Sequence, residues 1–273
     1  MSASHREREV RLHPLNKDFV WRDSAPGSLR RLSQAEREAF NESGFVRLGN
    51  VFNTREVETV TRAIDPLEAQ GEEWLRKKGG TVSIATADVI TFTTHIVRKS
   101  DVLRGFAQHA AIKDICHDLI GESVRLYWDQ SVYKKTGRMQ EFPWHQDNGY
   151  TFIEPQQYLT LWIPLVDVDE ENGCPWVAPG LHKLGTLDHW LTPIGFQCLE
   201  HAADAVAVPA KAGDVIAFSS LTPHRTGPNL KLGSIRKAYI LQYAPDGAFT
   251  IRDGVRAEQN DPERQFRVLE RGH

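Results

Sequence analysis

Apolar positions change their period along the chain, and that change divides it. Residues 1–30 are polar, carry several arginines and show little periodicity; they are expected to form a loosely packed N-terminal extension. At Ser33 the pattern changes. Ser33-Gln34-Ala35-Glu36 has the form of a capping box, in which a serine oxygen and a glutamate three residues on satisfy the first free amides of a helix. Asn53-Thr54-Arg55-Glu56 repeats the device before a second helix, whose Val57, Val60, Ile64 and Leu67 fall at helical spacing. Between the two, Gly44-Phe45-Val46-Arg47-Leu48 is strand-like. From Thr81 onward short β-branched and aromatic runs dominate. They are interrupted by a helix expected over residues 102–119, with Leu103, Phe106, Ile112, Ile115 and Leu119 as its apolar set. Strands are then expected at 124–134, 158–168, 175–178, 205–208, 215–219 and 237–243. Turn signals at Glu171-Asn172-Gly173, Pro179-Gly180, Ala212-Gly213-Asp214 and Gly227-Pro228-Asn229 separate them. Many short strands after a helical start predict a mainly β fold with N-terminal helices (α+β), a double-sheet jelly roll buttressed by helices. No internal repeat breaks residues 31–273, so a single domain is expected there.

Composition narrows the function classes. Hydrophobic residues at 40% and charged residues at 25% are the balance of an ordinary globular protein. A formal charge of −3 without a long basic block recommends no nucleic-acid or anionic-membrane partner. The opening residues lack the apolar run of a secretory signal, and no stretch reaches the eighteen or so apolar residues of a membrane span. Cys116, Cys174 and Cys198 are few, odd in number and widely spaced, which suits packed thiols in a reducing cytoplasm. The expectation is a soluble cytoplasmic protein acting on a small-molecule substrate.

Candidate chemistry concentrates in Glu141-Phe142-Pro143-Trp144-His145-Gln146-Asp147-Asn148-Gly149-Tyr150. In extended backbone, side chains two apart share a face, so His145 and Asp147 aim an imidazole and a carboxylate at one point. Alone, a His-x-Asp pair is a common accident. Further along, His224 follows the apolar run Val215-Ile216-Ala217-Phe218 and supplies the second histidine. Two histidines and one carboxylate on one face of an octahedron leave three positions open, the arrangement of non-haem Fe(II) oxygenases. Two open positions suit a keto acid and the third dioxygen. A dicarboxylate co-substrate also needs an anchor for its far end. Arg236 suits that task, because its planar fork binds carboxylate bidentately and keeps its charge when buried. Lys237 is the lesser candidate, on the opposite face and without the fork. Thr226, two residues after His224, is placed to donate a hydroxyl hydrogen bond to the same anion.

Three runs and one residue taken together resemble the phytanoyl-CoA dioxygenase family. They are Trp144-His145-Gln146-Asp147, the run from Asn172-Gly173-Cys174-Pro175-Trp176 to Gly180-Leu181-His182-Lys183, and His224-Arg225-Thr226-Gly227-Pro228-Asn229 followed by Arg236. The resemblance spans about Ser33 to Tyr243, with the motifs in the family's order. It implies a double-stranded β-helix, the jelly roll of cupin-like proteins, and an enzyme that couples oxidative decarboxylation of 2-oxoglutarate to hydroxylation or related oxidation. It further implies His145, Asp147 and His224 as iron ligands, and Arg236 with Thr226 on the distal carboxylate of 2-oxoglutarate. Gln130 and Lys134 match positions that contact the co-substrate in relatives, and Trp162 is a candidate for the pocket wall. Leu181 stands where many members carry a hydroxyl, and Gly233 accommodates a slightly longer interval before Arg236. Retention of Asp147 points to hydroxylation, since halogenating relatives carry a small residue there.

Two rival readings are a cupin-like metalloenzyme that does not use 2-oxoglutarate, and a non-catalytic small-molecule binder on the same scaffold. Arg236 argues against the first, and retention of the whole ligand set against the second. Trp144 and Phe142 are expected to pack the barrel, while Tyr150 and Phe152 are both placed to face substrate. His182 is expected to fix its loop by hydrogen bonding, and Cys174 lacks a paired base. Residues 81–99 and 187–203 are the candidate specificity segments, with Arg98 as an anion contact.

Overall fold

Alternation along each long strand sends successive side chains to opposite faces, and here the two faces have different tasks. The computed structural model describes residues 10–24, 28–136 and 141–272. Ten strands carry the core: β1 (Phe45–Leu48), β2 (Ile90–Thr94), β3 (Val124–Lys135), β4 (Phe142–His145), β5 (Leu159–Pro164), β6 (Pro175–Val177), β7 (Val206–Ala207), β8 (Val215–Ser219), β9 (His224–Thr226) and β10 (Ile235–Pro245). The pairings among them are antiparallel. The major sheet runs β1-β8-β5-β10-β3-β2 and the minor sheet β7-β6-β9-β4. This is the expected double-stranded β-helix.

The outer face of the major sheet packs on the helices. Tyr239, Leu241 and Tyr243 of β10 and Leu159, Leu161 and Ile163 of β5 join Val57, Val60, Ile64, Ile112 and Ile115 in one apolar cluster. Intervening residues on the same strands, Trp162, Ala238 and Ile240 among them, form a second cluster on the inner side with Val177 of the minor sheet. The inner side is where the cavity lies.

Both capping boxes form. Ser33 Oγ accepts from Glu36 N at 3.3 Å and Asn53 Oδ1 from Glu56 N at 3.1 Å, opening α1 (Gln34–Ser43) and α2 (Thr54–Lys77). The single helix expected over 102–119 is instead two, α3 (Asp101–Phe106) and α4 (Ala110–Ile120). The break is a fresh N-cap: His109 leaves helical backbone and its Nδ1 accepts from Ala111 N at 3.2 Å. The strand expected over 158–168 ends at Pro164, and that over 205–208 shrinks to β7.

The polar segment expected to pack loosely does otherwise where it is described. Over residues 10–24 it lies along the 182–188 loop, whose backbone groups need partners. Asn16 Nδ2 donates to Leu184 O and Thr186 O, both at 2.9 Å, and the Trp21 ring meets His182 edge-on at 4.4 Å. Further along, Asp118 of α4 ties residues 30–32 to the body, accepting from the amides of Arg30, Arg31 and Leu32 at 2.8–3.1 Å. Burial pushes its pKa up, but the His117 contact and the three amides outweigh this and hold it below the ordinary carboxylate value. A depressed folded pKa contributes stability that is present above the unfolded value and lost as pH falls through the folded one. Asp118→Asn should therefore destabilise the protein by about 1–3 kcal/mol at pH 7, a gap in urea melts that narrows below about pH 4. A gap that stays constant down to pH 2.5 would contradict this account.

Candidate active site

β4 and β9 are neighbours in the minor sheet, and their register sets His224 directly opposite His145. The two imidazole centroids lie 4.1 Å apart. Past the end of β4 the chain turns into a 3-10 segment, Asp147–Gly149, which brings Asp147 Oδ1 within 3.9 Å of Nε2 of both histidines. One ligand-type atom from each residue falls within 4.8 Å of the others.

Hydrogen bonds behind these residues settle which atoms face the centre. His145 Nδ1 is 2.8 Å from Pro143 O and His224 Nδ1 is 3.0 Å from Thr222 O. A carbonyl only accepts, so each Nδ1 carries the proton and each Nε2 presents a lone pair. Burial, then the neighbouring His224, holds the His145 pKa well below the usual imidazole range, keeping it neutral as a metal ligand must be. Thr160 Oγ1 donates to Asp147 Oδ2 at 2.5 Å, which leaves Oδ1 toward the imidazoles. Three donor atoms thus converge from one side with the cavity on the other, a set suited to a divalent transition metal with open positions.

Gln146, between the two ligands, points the other way. Its amide donates to Gly185 O at 3.0 Å and Leu221 O at 2.6 Å and accepts from Leu187 N at 2.6 Å. His189 Nε2 accepts from Gln146 N at 3.0 Å, so this histidine is a satisfied, partly buried one, as expected. His182 donates through Nε2 to Asn41 O at 3.2 Å, fixing its loop.

Between the sheets lies a cavity of about 560 Å³, lined by His145, Asp147, His224, Thr226, Gln130, Trp162 and Arg236 among others. Arg236 is 1% exposed. Its Nη1 donates to Val132 O at 3.3 Å, its Nε has no hydrogen-bond partner, and its guanidinium sits 5.4 Å from the Trp162 ring. Among the described residues no carboxylate pairs with it. Burial pulls its pKa down to about 9, still cationic at neutral pH. A buried unpaired charge is strongly unfavourable unless an anion reaches it. The site therefore fits a dicarboxylate whose far end meets Arg236 while its near end reaches the histidines and Asp147.

Other expected residues are placed differently. Lys134 is buried behind the lining: its Nζ lies 3.0 Å from Thr226 O, 2.8 Å from Thr226 Oγ1 and 2.7 Å from Gly227 O. It braces the turn that carries Thr226 instead of reaching into the cavity. Burial and nearby Arg236 hold its pKa well below the ordinary lysine value. Lys237 faces away, toward Asp65 Oδ1 at 2.7 Å. Phe142, expected to pack the barrel, lines the cavity. The β4–β9 register shifts between His224 and Thr226, so that Thr226 opposes Phe142, and this irregularity puts Phe142 on the His145 side despite the odd spacing. Trp144 lies outside, under Arg225 at 5.4 Å. Tyr150 faces the cavity, whereas Phe152 stacks on His13 at 4.8 Å. Arg98 pairs with Glu263 and does not line the cavity. Of the two candidate specificity segments, residues 82–85 and 90–94 line the cavity, while Phe196 of the second packs behind Tyr150 at 5.3 Å.

Sequence reasoning missed Thr160, Gln242, Tyr127, Trp128 and Tyr158, which also face the cavity. Thr160 was within reach, two residues before Trp162, and Gln242 shares the parity of Arg236. Tyr127 is the extra residue where Gln242 pairs with Trp128 but Tyr243 with Leu126, so alternation could not place it.

Two buried imidazoles and a carboxylate on a double-stranded β-helix, with an unpaired arginine deeper in the barrel, define an iron(II)- and 2-oxoglutarate-dependent dioxygenase. The chain belongs to the phytanoyl-CoA dioxygenase (PhyH) family, whose model matches residues 40–238. Methylphosphonate hydroxylase of Gimesia maris is 28% identical over 215 residues, 77% of this chain and 80% of its own. Ectoine dioxygenase of Sphingopyxis alaskensis is 25% identical over 246 residues, 82% of this chain and 78% of its own. Among solved structures, the non-heme alpha ketoglutarate dependent carbocyclase SnoK from nogalamycin biosynthesis superposes with a TM-score of 0.63 at 26% identity, covering 85% of this chain and 90% of that one. Among the described residues no helix is long and apolar enough to cross a membrane.

Removing the hydroxyl that orients Asp147 should weaken metal binding without unfolding the barrel. Thr160→Val is expected to lower divalent-metal affinity by about 10- to 100-fold, measured by calorimetric titration, with an unchanged near-ultraviolet circular dichroism spectrum. Wild-type affinity in Thr160→Val would contradict the orienting role.

Proposed function

We propose that His145, Asp147 and His224 hold the iron(II), that Arg236 and Thr226 bind the distal carboxylate of 2-oxoglutarate, and that the substrate oxidised is a small molecule. Gln130 flanks the co-substrate, Trp162 supports the Arg236 guanidinium from its ring face, and Lys134 acts at one remove by bracing Thr226. Iron(II) held by this set would supply the chemistry that couples decarboxylation of 2-oxoglutarate to succinate with oxidation of the second substrate by dioxygen. The protein's own part is to turn both Nε2 atoms and Asp147 Oδ1 inward, and to hold the co-substrate between them and Arg236. Its aromatic walls exclude water from the reacting groups.

The observation that carries this reading is the buried, unpaired Arg236 facing the same cavity as the three ligand-type side chains. A metalloenzyme that made no use of a dicarboxylate would have no reason to keep an uncompensated cation there. Three buried free cysteines, Cys116, Cys174 and Cys198, support a reducing, cytoplasmic setting.

Anaerobic addition of Fe(II) and 2-oxoglutarate to the purified apoprotein should give the visible charge-transfer band of the chelate, and air should then yield succinate. In Arg236→Gln the half-saturating 2-oxoglutarate concentration should rise about 10- to 100-fold, while His224→Ala and Asp147→Ala should abolish turnover. Iron bound without a band would overturn the 2-oxoglutarate assignment, and wild-type turnover in either alanine variant would overturn the ligand set.

A further inference from the structure

Away from Arg236, the cavity lining is uneven. The major sheet contributes Gln242 and Tyr127, and Tyr158 lies just before β5. Among the described residues, neither the side-chain amide of Gln242 nor the hydroxyl of either tyrosine makes a hydrogen bond, though Gln242 is only 7% exposed and Tyr158 2%. Polar groups this enclosed are normally partnered, and here the open side is the cavity itself.

Their position relative to the iron set follows from the register. Gln242 is the cross-strand partner of Thr160, whose hydroxyl holds Asp147. Cross-strand side chains on one face stand about 5 Å apart. The amide is therefore beside the metal carboxylate, six residues along β10 from Arg236, whose guanidinium lies by the Trp162 ring.

Phe142 of the minor sheet, with Tyr150, Phe92 and Ile84, supplies a different surface. Phe142 stacks with Tyr150 at 6.3 Å and meets Phe92 at 5.8 Å, and Ile84 extends this apolar lining. Of the described residues lining the cavity, only Asp147 and Arg236 carry fixed charge, and the proposed function engages both. Arg252 and Arg264 lie in an adjoining pocket beyond Tyr127 and Trp128, outside this lining. A charged substrate group beside Gln242 would therefore lose its hydration without a counter-charge in the cavity wall. A neutral molecule with one oxygen function would place its apolar body on the rings and its oxygen on the amide.

We infer that the second substrate is an uncharged, largely apolar, ring-bearing molecule with a hydroxyl or carbonyl oxygen, and that Gln242 grips this oxygen and sets which carbon faces the iron. The inference rests on the assignment of Arg236 to the co-substrate. A volume of about 560 Å³ accommodates the co-substrate together with a compact two- or three-ring molecule, within the size of ordinary ligand pockets.

Three matched probes test it on the Fe(II)- and 2-oxoglutarate-loaded protein without oxygen: 2-naphthol, 2-methylnaphthalene and 2-naphthyl phosphate, titrated calorimetrically. The naphthol should bind about five- to tenfold more tightly than the methyl compound, and the phosphate ester more weakly than both. In Gln242→Leu the advantage of the naphthol should vanish while methylnaphthalene binds as before. Tightest binding by the phosphate ester, or a naphthol preference that survives in Gln242→Leu, would overturn the inference. Should that variant fail to fold, the ranking on the wild-type protein decides alone. The chelate band, recorded on the same samples, separates the two levels. If it does not form, the co-substrate assignment has failed; if it forms and the phosphate ester wins, only the substrate class has failed.

Discussion

Antiparallel pairing of β4 with β9 is the constraint on which the rest of the site depends. It sets His224 opposite His145, and because both rings donate Nδ1–H to carbonyls two residues upstream, each Nε2 must point to the same place. A slip of one residue would turn one histidine toward the outer cluster around Trp144 and dissolve the pair. Asp147 joins only because the strand gives way to a 3-10 turn, and Thr160 then holds it from the facing sheet. The centre is thus assembled by both sheets at once, which is what a double-stranded β-helix offers and a single sheet does not.

The second organising force is electrostatic. Arg236 is placed by alternation on the inner face of β10 and left without a paired carboxylate among the described residues, and Lys134 lies close behind it. A buried guanidinium without a paired carboxylate among the described residues makes an anionic partner in the cavity favourable. Stability has been given up in exchange for affinity at this one place, as is common at functional sites.

Much of this arrangement is legible in the chain, and the reasons for the rest are local. His145, Thr226 and Arg236 could be placed on the cavity side because period-two alternation is a short-range property that needs no knowledge of partners. Asp147, picked by the same count, reaches that side through a 3-10 turn past the strand's end. Both capping boxes are likewise written in four consecutive residues. Failures occur where something distant intervenes. Phe142 was expected to pack the barrel because an irregularity in register opposite Thr226 upsets the count, and Tyr127 went unnoticed for the same reason opposite Gln242. Lys134 was given the right face and the wrong reach, since only the folded turn at Thr226 and Gly227 reveals which acceptors meet the amine. The polar lining at Gln242, Tyr127 and Tyr158 was illegible because it is defined by what these side chains leave untouched, and an unmade contact leaves no mark in a sequence.

Gln146 places the amino-terminal segment in mechanical series with the metal centre. The backbone of the 184–187 loop is shared: Asn16 holds it from one side through Leu184 and Thr186, and Gln146 from the other through Gly185 and Leu187. Pulling on residues 10–24 therefore loads a residue wedged between His145 and Asp147. Fusions, tags or proteolytic nicks at that end act on a lever whose short arm ends between His145 and Asp147.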